Sequence, residues 1–342
     1  MTSNGPKDGL RRRPTIRDVA QAAGVSRGTV SRVLNGSHLV SPEAAAAVEQ
    51  AIKATGYTVN MHARSLVTGR SGAIAFLLAE PQDLLFENPV FPLMLRGATK
   101  AATALNQQMI LLLADTPAER TRVVNYVAAG HVDGVLLISY SSSDPLLLEL
   151  LDHQVPVVAA GNPLGYEGQV SSVATDDRLG GRQATEYLAA RGCQRIATIT
   201  GPLDTPGGVL RTEGYVAALG DDYDAGLVAH GDWLSPSGWA AMSALWDEHP
   251  DIDGVFAQND LMAVGAIEFL RTHGIKVPEQ VAVIGFDDSG IGEQVSPTLT
   301  TMAQQYEKIT EEMLRLLLVA IAGSQPPTSV ALPAELIRRE SA

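Results

Sequence analysis

The 342-residue sequence is poor in cysteine and in long apolar runs, and each shortage excludes a class of protein. Its single cysteine, Cys193, has no partner for an internal disulfide, which excludes a disulfide-stapled scaffold and favours a reducing cytosol. Apolar runs such as GAIAFLLA, residues 72–79, are well short of the roughly 18–20 residues that span a bilayer. The first residues carry arginines without an apolar segment behind them, so we expect no secretory signal and a cytoplasmic location.

Signatures of common enzymes are also missing from the sequence. It contains no G-x-G-x-x-G or G-x-x-x-x-G-K-[ST] phosphate loop, no G-x-S-x-G elbow, and no Cys/His cluster at metal spacing. Its seven histidines are scattered, which is typical of surface or hydrogen-bonded core positions. An enzyme stays an alternative, but we predict a non-catalytic protein that needs no cofactor and no metal.

The charge of the chain is divided unevenly along its length. Residues 1–70 hold 10 Lys and Arg against 4 Asp and Glu, a net charge of +6, whereas residues 71–342 carry a net charge of −19. A basic head is attracted to polyanions, and an acidic body is repelled by them. A solvated basic tail would explain Arg11 to Arg13, but not the patterned segment that follows.

Residues 15–56 predict three short helices, each with its own capping signals. The first covers about Ile16 to Ala23 after Thr15 as N-cap, and Gly24 ends it. The second follows Ser26 and continues to about Leu34. The third begins at Ser41-Pro42-Glu43 and ends at Thr55, before Gly56. Two helices joined by a tight glycine turn, with a third closing the core, are typical of a helix-turn-helix domain.

The second of these helices presents side chains that suit DNA. Arg27 and Arg32 can make paired hydrogen bonds to guanine, Thr29 and Ser31 can bond bases or phosphates, and Gly28 allows close approach. The alternative for Ser and Thr is capping and solvation, and for the domain as a whole a generic small helical unit. In a head of net charge +6, DNA binding is the better interpretation.

From Gly72 onward, short apolar runs alternate with helical segments, which predicts parallel sheets covered by helices. A body of this length favours two such units rather than one. The segment GPLDTPGG, residues 201–208, predicts a loop. Polar side chains follow several predicted strands, where α/β sheets bind ligands, although such residues can also simply cap the next helix. They are Asp176, Asn259, Asp260, Asp287 and Asp288.

Many motifs in order give the chain a resemblance to a known family. TIRDVAQAAGVSRGTVSRVLNG, VSPEAAAAVEQAIKATGYTVNMHARSLVTGRSGAIAFLL, HVDGVLLIS, VSSVATDDRLGGRQATEYL, FAQNDLMAVGA and VAVIGFDDS resemble the lactose/galactose-repressor family of bacterial transcription regulators. The resemblance covers nearly the whole chain. It implies a helix-turn-helix head and an α/β core of two lobes like a periplasmic sugar-binding protein, each lobe a parallel sheet flanked by helices.

The resemblance also implies which residues contact DNA. Arg27 and Gly28 match the base-reading positions, and Asn60 to Leu66 match a hinge that becomes helical on operator DNA. Leu66 matches an apolar wedge that kinks the duplex in the minor groove, with Ala63 as its small neighbour. Val59 departs from the family, which often has proline there, and this puts the stability of the hinge in doubt. The implied contacts are Thr15, Ser26, Arg27, Gly28, Thr29, Ser31, Arg32, Asn35, Asn60, Ala63, Arg64 and Leu66.

The resemblance also implies that a small-molecule effector binds between the two lobes. Asp287 and Asn259 can bind paired hydroxyls, Arg211 can donate to oxygens, and Trp233 offers a flat face to a sugar ring. We therefore expect a sugar, and more specifically a plant-derived oligosaccharide. A purine- or nucleoside-responsive regulator is one alternative; a transport-type sugar-binding protein is another, but it would need an export signal. The implied effector residues are Phe91, Arg211, Trp233, Asn259, Asp287 and Tyr306.

Together these inferences give a domain plan and a set of partners. We predict a basic disordered tail at 1–13, a helix-turn-helix domain at 14–58, a hinge at 59–71 and a core at 72–342. The N-lobe would span about 72–172 and 304–332, and the C-lobe about 173–303 and 333–342. We expect a homodimeric repressor whose partners are double-stranded operator DNA and a small-molecule effector, with no membrane partner.

Overall fold

The structure is a computed structural model that describes residues 14–34, 39–57, 70–139, 141, 144–323 and 325–342. Its contacts divide the chain into two compact units, Met1–Ser71 and Gly72–Ala342. The predicted tail at 1–13 and residues 59–69 of the predicted hinge lie outside the described residues, as does Asn35. No helix in the described ranges has both the length and the apolar character needed to cross a membrane.

The first unit contains the three predicted helices: α1 (Ile16–Ala23), α2 (Arg27–Leu34) and α3 (Pro42–Thr55). Local capping fixes their ends. The Thr15 backbone N–H donates to Asp18 Oδ2 at 2.7 Å, and Ser41 Oγ accepts from the backbone N–H of Ala44 at 3.3 Å. Gly24 closes α1 in the left-handed conformation, with φ of 65°, which glycine adopts without a steric penalty.

A small apolar core holds the three helices together. Its buried members come from all three of them, so that α2 lies against α1 and α3 with its polar side outward. Burial of such side chains contributes roughly 1.5–3 kcal/mol for each large aliphatic residue. The buried core residues are Val19, Ala20, Val30, Val48 and Ala51.

The N-lobe of the second unit is a six-stranded parallel sheet covered by helices on its faces. Its strand order is β11-β5-β4-β3-β1-β2. The strands are β1 (Ala73–Leu78), β2 (Gln108–Leu113), β3 (Val135–Ser139), β4 (Val157–Ala160), β5 (Ser171–Thr175) and β11 (Ser329–Leu332). The helices are α4 (Gln82–Glu87), α5 (Val90–Ala104), α6 (Pro117–Ala128), α7 (Leu146–Asp152) and α12 (Tyr306–Ile321), numbered along the chain.

The C-lobe repeats this architecture with the strand order β12-β10-β9-β8-β6-β7, in which only the β10–β12 pair is antiparallel. The strands are β6 (Ile196–Thr200), β7 (Val228–His230), β8 (Gly254–Ala257), β9 (Ala282–Asp287), β10 (Thr300–Ala303) and β12 (Glu335–Ile337). The helices are α8 (Asp177–Ala190), α9 (Pro206–Leu219), α10 (Ser235–Glu248) and α11 (Asp260–Thr272). The two-lobed α/β class expected from the sequence is confirmed.

The chain crosses between the lobes three times, after β5, after β10 and after β11. The first crossover follows Thr175 rather than residue 172, because β5 stays paired with β4 and β11 of the N-lobe sheet. The predicted loop at 201–208 is also too long. Helix α9 begins at Pro206, and the Thr205 hydroxyl accepts from the backbone N–H of Gly208 at 3.3 Å to cap it.

Candidate functional site

A cavity of about 460 Å³ lies between the two lobes of the second unit. Residues from both lobes line it, chiefly from loops at the carboxyl ends of parallel strands, where ligands of α/β sheets bind. Its volume falls within the range of small-molecule sites. The lining residues used below are Glu80, Phe91, Ser139, Ser141, Thr175, Asp177, Asp204, Gly207, Arg211, Asp232, Trp233, Asn259, Asp287, Gln304 and Tyr306.

Arg211, on α9, is the centre of a buried charge cluster in this cavity. Its Nε donates to Asp177 Oδ1 at 2.8 Å, and its Nη1 donates to the backbone carbonyl of Gln258 at 2.5 Å. Nη1 also lies 3.7 Å from Asp287 Oδ1, and the guanidinium sits 3.7 Å from the centre of the Phe286 ring. The guanidinium is therefore fixed by the Asp177 carboxylate, the Asp287 side chain, one carbonyl and one aromatic face.

Asp287 ends strand β9 with a φ of 119°, a backbone conformation that costs energy for any residue except glycine. Gln304 Nε2 donates to Asp287 Oδ1 at 2.7 Å, and Thr175 Oγ1 donates to Gln304 Oε1 at 2.6 Å. Burial raises the pKa of the Asp287 carboxyl from 3.8 to about 8, against the opposing effect of Arg211. We name Asp177, Arg211, Asp287 and Gln304 the arginine end of the cavity.

Trp233 is held beside this arginine end by strained backbone and by close packing. Its φ is 74°, and a Cβ added at Gly201 would lie only 2.0 Å from its ring. Asn259 Nδ2 donates to the Trp233 carbonyl at 2.8 Å, while Asn259 Oδ1 accepts from the backbone N–H of Met262 at 2.9 Å. Asn259 thus caps α11 and positions Trp233 at the same time.

Phe91 on α5 and Tyr306 at the start of α12 face the cavity from the N-lobe side. Both are at least nine-tenths buried, and the Tyr306 hydroxyl has no hydrogen-bond partner among the described residues. Burial raises the pKa of this hydroxyl well above its usual value, so it stays protonated. All six residues expected to bind an effector therefore line one cavity.

The other polar residues predicted to follow strands do not line the cavity. Asp176 caps α8, accepting from the backbone N–H of Leu179 at 3.0 Å, and it is the next residue, Asp177, that faces the cavity. Asp260 and Asp288 act neither as caps nor as cavity residues. Asp260 is buried and accepts from Thr301 Oγ1 at 2.5 Å, whereas Asp288 pairs with Arg339 at 2.8 Å.

Sequence reasoning missed the opposite part of the cavity. Ser139 Oγ donates to Glu80 Oε1 at 2.5 Å, and Ser141 Oγ donates to Asp204 Oδ2 at 2.6 Å. We name these four residues the glutamate end. Glu80 and Asp204 follow a strand closely and Ser139 ends one, which was the available signal, but each is an isolated residue without a recognisable motif.

Most of the predicted DNA-contacting residues that the structure describes lie on α2 or at its start. Ser26, Arg27, Gly28 and Arg32 are exposed, and a Cβ added at Gly28 would lie 3.7 Å from Arg32 Nη2. Ser26 Oγ accepts from the backbone N–H of Thr29 at 3.1 Å and so caps α2. Three further predicted contacts are partly buried: Thr15, Thr29 and Ser31. The remaining predicted contacts, Asn35, Asn60, Ala63, Arg64 and Leu66, lie outside the described residues.

Comparison with known proteins identifies the family. Residues 15–60 match the family model for bacterial regulatory proteins of the lacI family, and residues 185–342 match a periplasmic binding protein-like domain. The chain is 46% identical to the HTH-type transcriptional regulator CelR of Thermobifida fusca, over 97% of this chain and 99% of that protein. It is 33% identical to the ribose operon repressor of Halalkalibacterium halodurans, over 96% of each.

A solved structure of a transcriptional regulator CelR–cellobiose complex is similar along almost its full length. It shares 43% sequence identity over 96% of this chain and 100% of that chain, with a TM-score of 0.78. The chain belongs to the lacI family of bacterial regulatory proteins, and it is a transcription regulator. The resemblance given by the sequence motifs is thereby confirmed.

Proposed function

We propose that this regulator is a homodimeric repressor that binds operator DNA through α2 and is controlled by a saccharide in the inter-lobe cavity. Arg27 and Gly28 read bases in the major groove, while Thr15, Ser26, Thr29, Ser31, Arg32 and Asn35 contact bases or phosphates. Asn60, Ala63, Arg64 and Leu66 complete the DNA contacts from the hinge. The protein acts in the cytoplasm by binding, not by catalysis.

Charge and exposure support the DNA-binding half of this proposal. Arginine can donate two hydrogen bonds to one guanine edge, and exposed Arg27 and Arg32 both project from α2. The head carries a net charge of +6 and the body −19, so attraction to the phosphate backbone is concentrated in the head. Repulsion of the body leaves DNA contact to the head and the hinge.

The observation that supports a saccharide effector is the composition of the cavity wall. Trp233 supplies a flat apolar surface next to Asp287 and Arg211, which together can accept from and donate to ring hydroxyls. The similar CelR structure is a complex with cellobiose, a neutral disaccharide. We infer that the effector of this chain is also a neutral saccharide of plant origin, bound by Phe91, Arg211, Trp233, Asn259, Asp287 and Tyr306.

Regulation follows because the wall of the cavity comes from both lobes. An effector shifts the DNA-binding equilibrium only if it binds one lobe arrangement more tightly than the other. Phe91 and Tyr306 belong to the N-lobe, whereas Trp233 and Asp287 belong to the C-lobe. A ligand that contacts both sets therefore stabilises one relative orientation of the lobes, and this orientation is what the hinge transmits to the heads.

The experiment begins with the full-length protein and a pool of randomised double-stranded oligonucleotides. Rounds of selection yield the preferred site, whose affinity is measured by fluorescence anisotropy as salt is raised, with and without cellobiose. We expect a near-palindromic site, affinity that falls steeply with salt, and a change in affinity with cellobiose but not with adenine or guanine. A response to the purines alone would identify the nucleobase-responsive alternative.

Asp287→Ala tests the assignment of the cavity. We expect this variant to bind the selected DNA normally and to lose its response to cellobiose. Asp221→Ala is the matched control, since Asp221 is an exposed aspartate of the same lobe outside the cavity. A full cellobiose response in Asp287→Ala would refute the role of Asp287, and absence of any selected DNA site would refute the repressor proposal itself.

A further inference from the structure

Asp260 is a buried carboxylate that belongs neither to a helix cap nor to the cavity wall. It is the first residue of α11, directly after the N-cap Asn259, and only 1% of its surface is exposed. Its side chain reaches β10 and the turn after β9. A Cβ added at Gly285 of β9 would lie 2.6 Å from Asp260 Oδ1, so the carboxylate packs directly against that strand. Asp260 therefore acts on the sheet beside α11.

Three hydrogen bonds hold the Asp260 carboxylate between two segments of the C-lobe. Oδ1 accepts from Thr301 Oγ1 of β10 at 2.5 Å. Oδ2 accepts from the backbone N–H of Ser289 at 2.8 Å and from the Ser289 hydroxyl at 3.2 Å. Ser289 belongs to the turn at residues 287–290, which begins at the end of β9 and which we name the aspartate turn. Asp260 thereby joins β10 to the aspartate turn.

The aspartate turn has a backbone that does not form by local preference. Its φ is 119° at Asp287, 51° at Asp288 and 88° at Gly290, and of these three residues only glycine adopts such values without a steric penalty. Strained residues of this kind persist only where the surrounding contacts over-determine them. The backbone N–H of Ser289, which lies between the strained residues, is the group that Asp260 binds. Asp260 is therefore an anchor of the strained turn.

The aspartate turn carries a side chain of the effector cavity. Asp287 lines the cavity, and its Oδ1 accepts from Gln304 Nε2 at 2.7 Å. Gln304 follows closely after Thr301, the β10 residue that Asp260 binds. One carboxylate thus holds both the segment that carries Asp287 and the segment that carries its partner Gln304. Loss of this carboxylate should let both segments move relative to the cavity.

The first turn of α11 also positions the aromatic face of the cavity. Asn259 Nδ2 donates to the Trp233 carbonyl at 2.8 Å, and the next residue in the chain is Asp260. Trp233 has a φ of 74°, so it too is held in a strained conformation. A local hydrogen bond, from the backbone N–H of Leu234 to Asp232 Oδ1 at 2.9 Å, supports the same loop. Two consecutive residues of one helix end therefore hold the tryptophan and the aspartate turn in place.

Stability alone does not account for a carboxylate at residue 260. Among the described residues no cation pairs with Asp260, and burial raises its pKa from 3.8 to about 6 against the opposing effect of its hydrogen bonds to Thr301 and Ser289. An unpaired carboxylate is costly to bury, and hydrogen bonds and the dipole of α11 offset only part of that cost. What the carboxylate supplies is two acceptor oxygens, which can bind both segments at once.

We propose that Asp260 is a positioning residue of the effector site, whose hydrogen bonds to Ser289 and Thr301 keep Asp287 facing the effector. Asp260 itself is not one of the residues that line the cavity. This inference rests on the proposed function, because the effector is what Asp287 is positioned to bind. Effector affinity therefore depends on Asp260, whereas DNA affinity in the absence of effector does not.

Calorimetry with cellobiose tests this role in the full-length protein. Titrations compare the wild type with Asp260→Ala, Asp260→Asn and Thr301→Val. Asparagine keeps an oxygen for the Ser289 N–H and offers an amide N–H to the Thr301 hydroxyl oxygen, so it can restore the anchor that alanine removes. Thr198→Val is the matched control for Thr301→Val. Thr198 is an equally buried threonine of β6 in the same sheet, and its hydroxyl donates to the Phe256 carbonyl at 2.9 Å, away from the cavity.

We expect Asp260→Ala to bind cellobiose about tenfold more weakly than the wild type, since a displaced Asp287 loses its hydrogen bond to the sugar. Thr301→Val should show a smaller loss in the same direction, and Asp260→Asn should stay within about twofold of the wild type. Thr198→Val should lower the midpoint of urea unfolding as much as Thr301→Val, yet keep the wild-type affinity for cellobiose. Without sugar, each variant should bind the preferred DNA site as the wild type does.

Crystal structures of the wild type and of Asp260→Ala without sugar give a readout that does not depend on the effector. We expect the Asp287 carboxyl group to move relative to Trp233 in the variant, and Gln304 to move with it. An unchanged aspartate turn overturns the proposal, whatever the sugar affinities are. If Asp260→Ala does not fold, Thr301→Val takes its place in both measurements.

The remaining contrary results separate the two proposals. Wild-type cellobiose affinity in Asp260→Ala overturns the positioning role and leaves the saccharide effector in place. Equal losses in Asp260→Ala and Asp260→Asn also overturn it, because hydrogen-bond anchoring would then not be what Asp260 provides. Equal losses in Thr301→Val and Thr198→Val reduce the effect to general destabilisation of the sheet. If the wild type binds no cellobiose, the saccharide proposal fails, and the crystal structures alone decide whether Asp260 positions Asp287.

Discussion

Gly201 lies directly against the indole ring of Trp233, so closely that a Cβ on Gly201 would come within 2.0 Å of Cζ2 of the ring. No ordinary contact between carbon atoms is that short, so any side chain at residue 201 must displace the tryptophan. Trp233 has a φ of 74°, and its carbonyl is bound by Asn259 Nδ2. The ring position is therefore determined by its neighbours and not by its own backbone preference.

Gly201→Ala should disrupt effector binding by moving Trp233. We expect the affinity for cellobiose to fall by about tenfold or more, and the free energy of unfolding to fall by about 1–3 kcal/mol from overpacking. Calorimetry and urea unfolding measure the two effects. Gly207→Ala is the matched control, since its new Cβ would meet its nearest atoms at an ordinary 3.6 Å. Equal losses in both variants would show that cavity crowding, not displacement of Trp233, is responsible.

Arg211→Met should strongly destabilise the second unit. The substitution leaves the Asp177 carboxylate, which is 5% exposed, without its buried cation, and breaking such a pair costs about 3–5 kcal/mol. Urea unfolding followed by circular dichroism gives the change in free energy. Arg182→Met, which removes the exposed pair with Glu186, should cost at most about 1 kcal/mol. Similar costs for the two variants would contradict the buried-cluster interpretation.

The stability of the protein should fall as pH rises, because of Asp287. Its pKa is raised from 3.8 to about 8 in the folded state, so the native state holds a proton that the unfolded state has released. This contribution is fully present below 3.8 and is lost as pH rises through about 8, with a slope of at most about 1.4 kcal/mol per pH unit.

Asp287→Asn tests this sign, because the amide stays neutral at every pH. Unfolding free energies measured from acidic to mildly alkaline pH should decrease less steeply in the variant than in the wild type. Asp221→Asn, at an exposed position, should keep the wild-type slope. A wild-type curve parallel to that of Asp287→Asn would mean that the Asp287 carboxyl is ionised throughout.

Arg27→Ala should weaken DNA binding and relax its base preference at one position. Loss of a bidentate contact to guanine corresponds to about 1–3 kcal/mol, so we expect roughly tenfold weaker binding to the preferred site. Lys53→Ala removes one exposed charge from α3 and should cause a smaller loss, similar for all sequences. Anisotropy titrations with the preferred site and single-base variants distinguish the two. A uniform loss in Arg27→Ala would reassign it to the phosphate backbone.

The head was predictable from sequence because its helices are specified locally. Thr15, Ser41, Gly24 and Gly56 act within one helical turn of their own positions, and the three helices begin and end where those residues placed them. Strand β7 is harder to predict, because its three residues, Val228–His230, are too few for a strand pattern and are held by pairing with β6. Short strands of this kind depend on partners distant in sequence.

The effector cavity was only partly predictable. Asp287, Asn259 and Arg211 were found through family motifs and through their positions near strand ends, and they do lie together. Asp177 was missed in favour of its neighbour Asp176, because sequence position after a strand does not distinguish the cap from the residue that faces the ligand cavity. Glu80 was missed because nothing in its local sequence distinguishes it.

The sequence by itself determined the helices of the head, the alternation of strands and helices in the core, the uneven charge and the family. These follow from caps, periodicity and composition, which act over a few residues or sum over the chain. Only the tertiary structure decided which side chains share a cavity. Sheet order brings Glu80 and Ser139 together although they are 59 positions apart, because neighbours in a parallel sheet are set by crossover connections and not by closeness in sequence. The meeting of the two lobes joins Ser141 to Asp204, which are 63 positions apart.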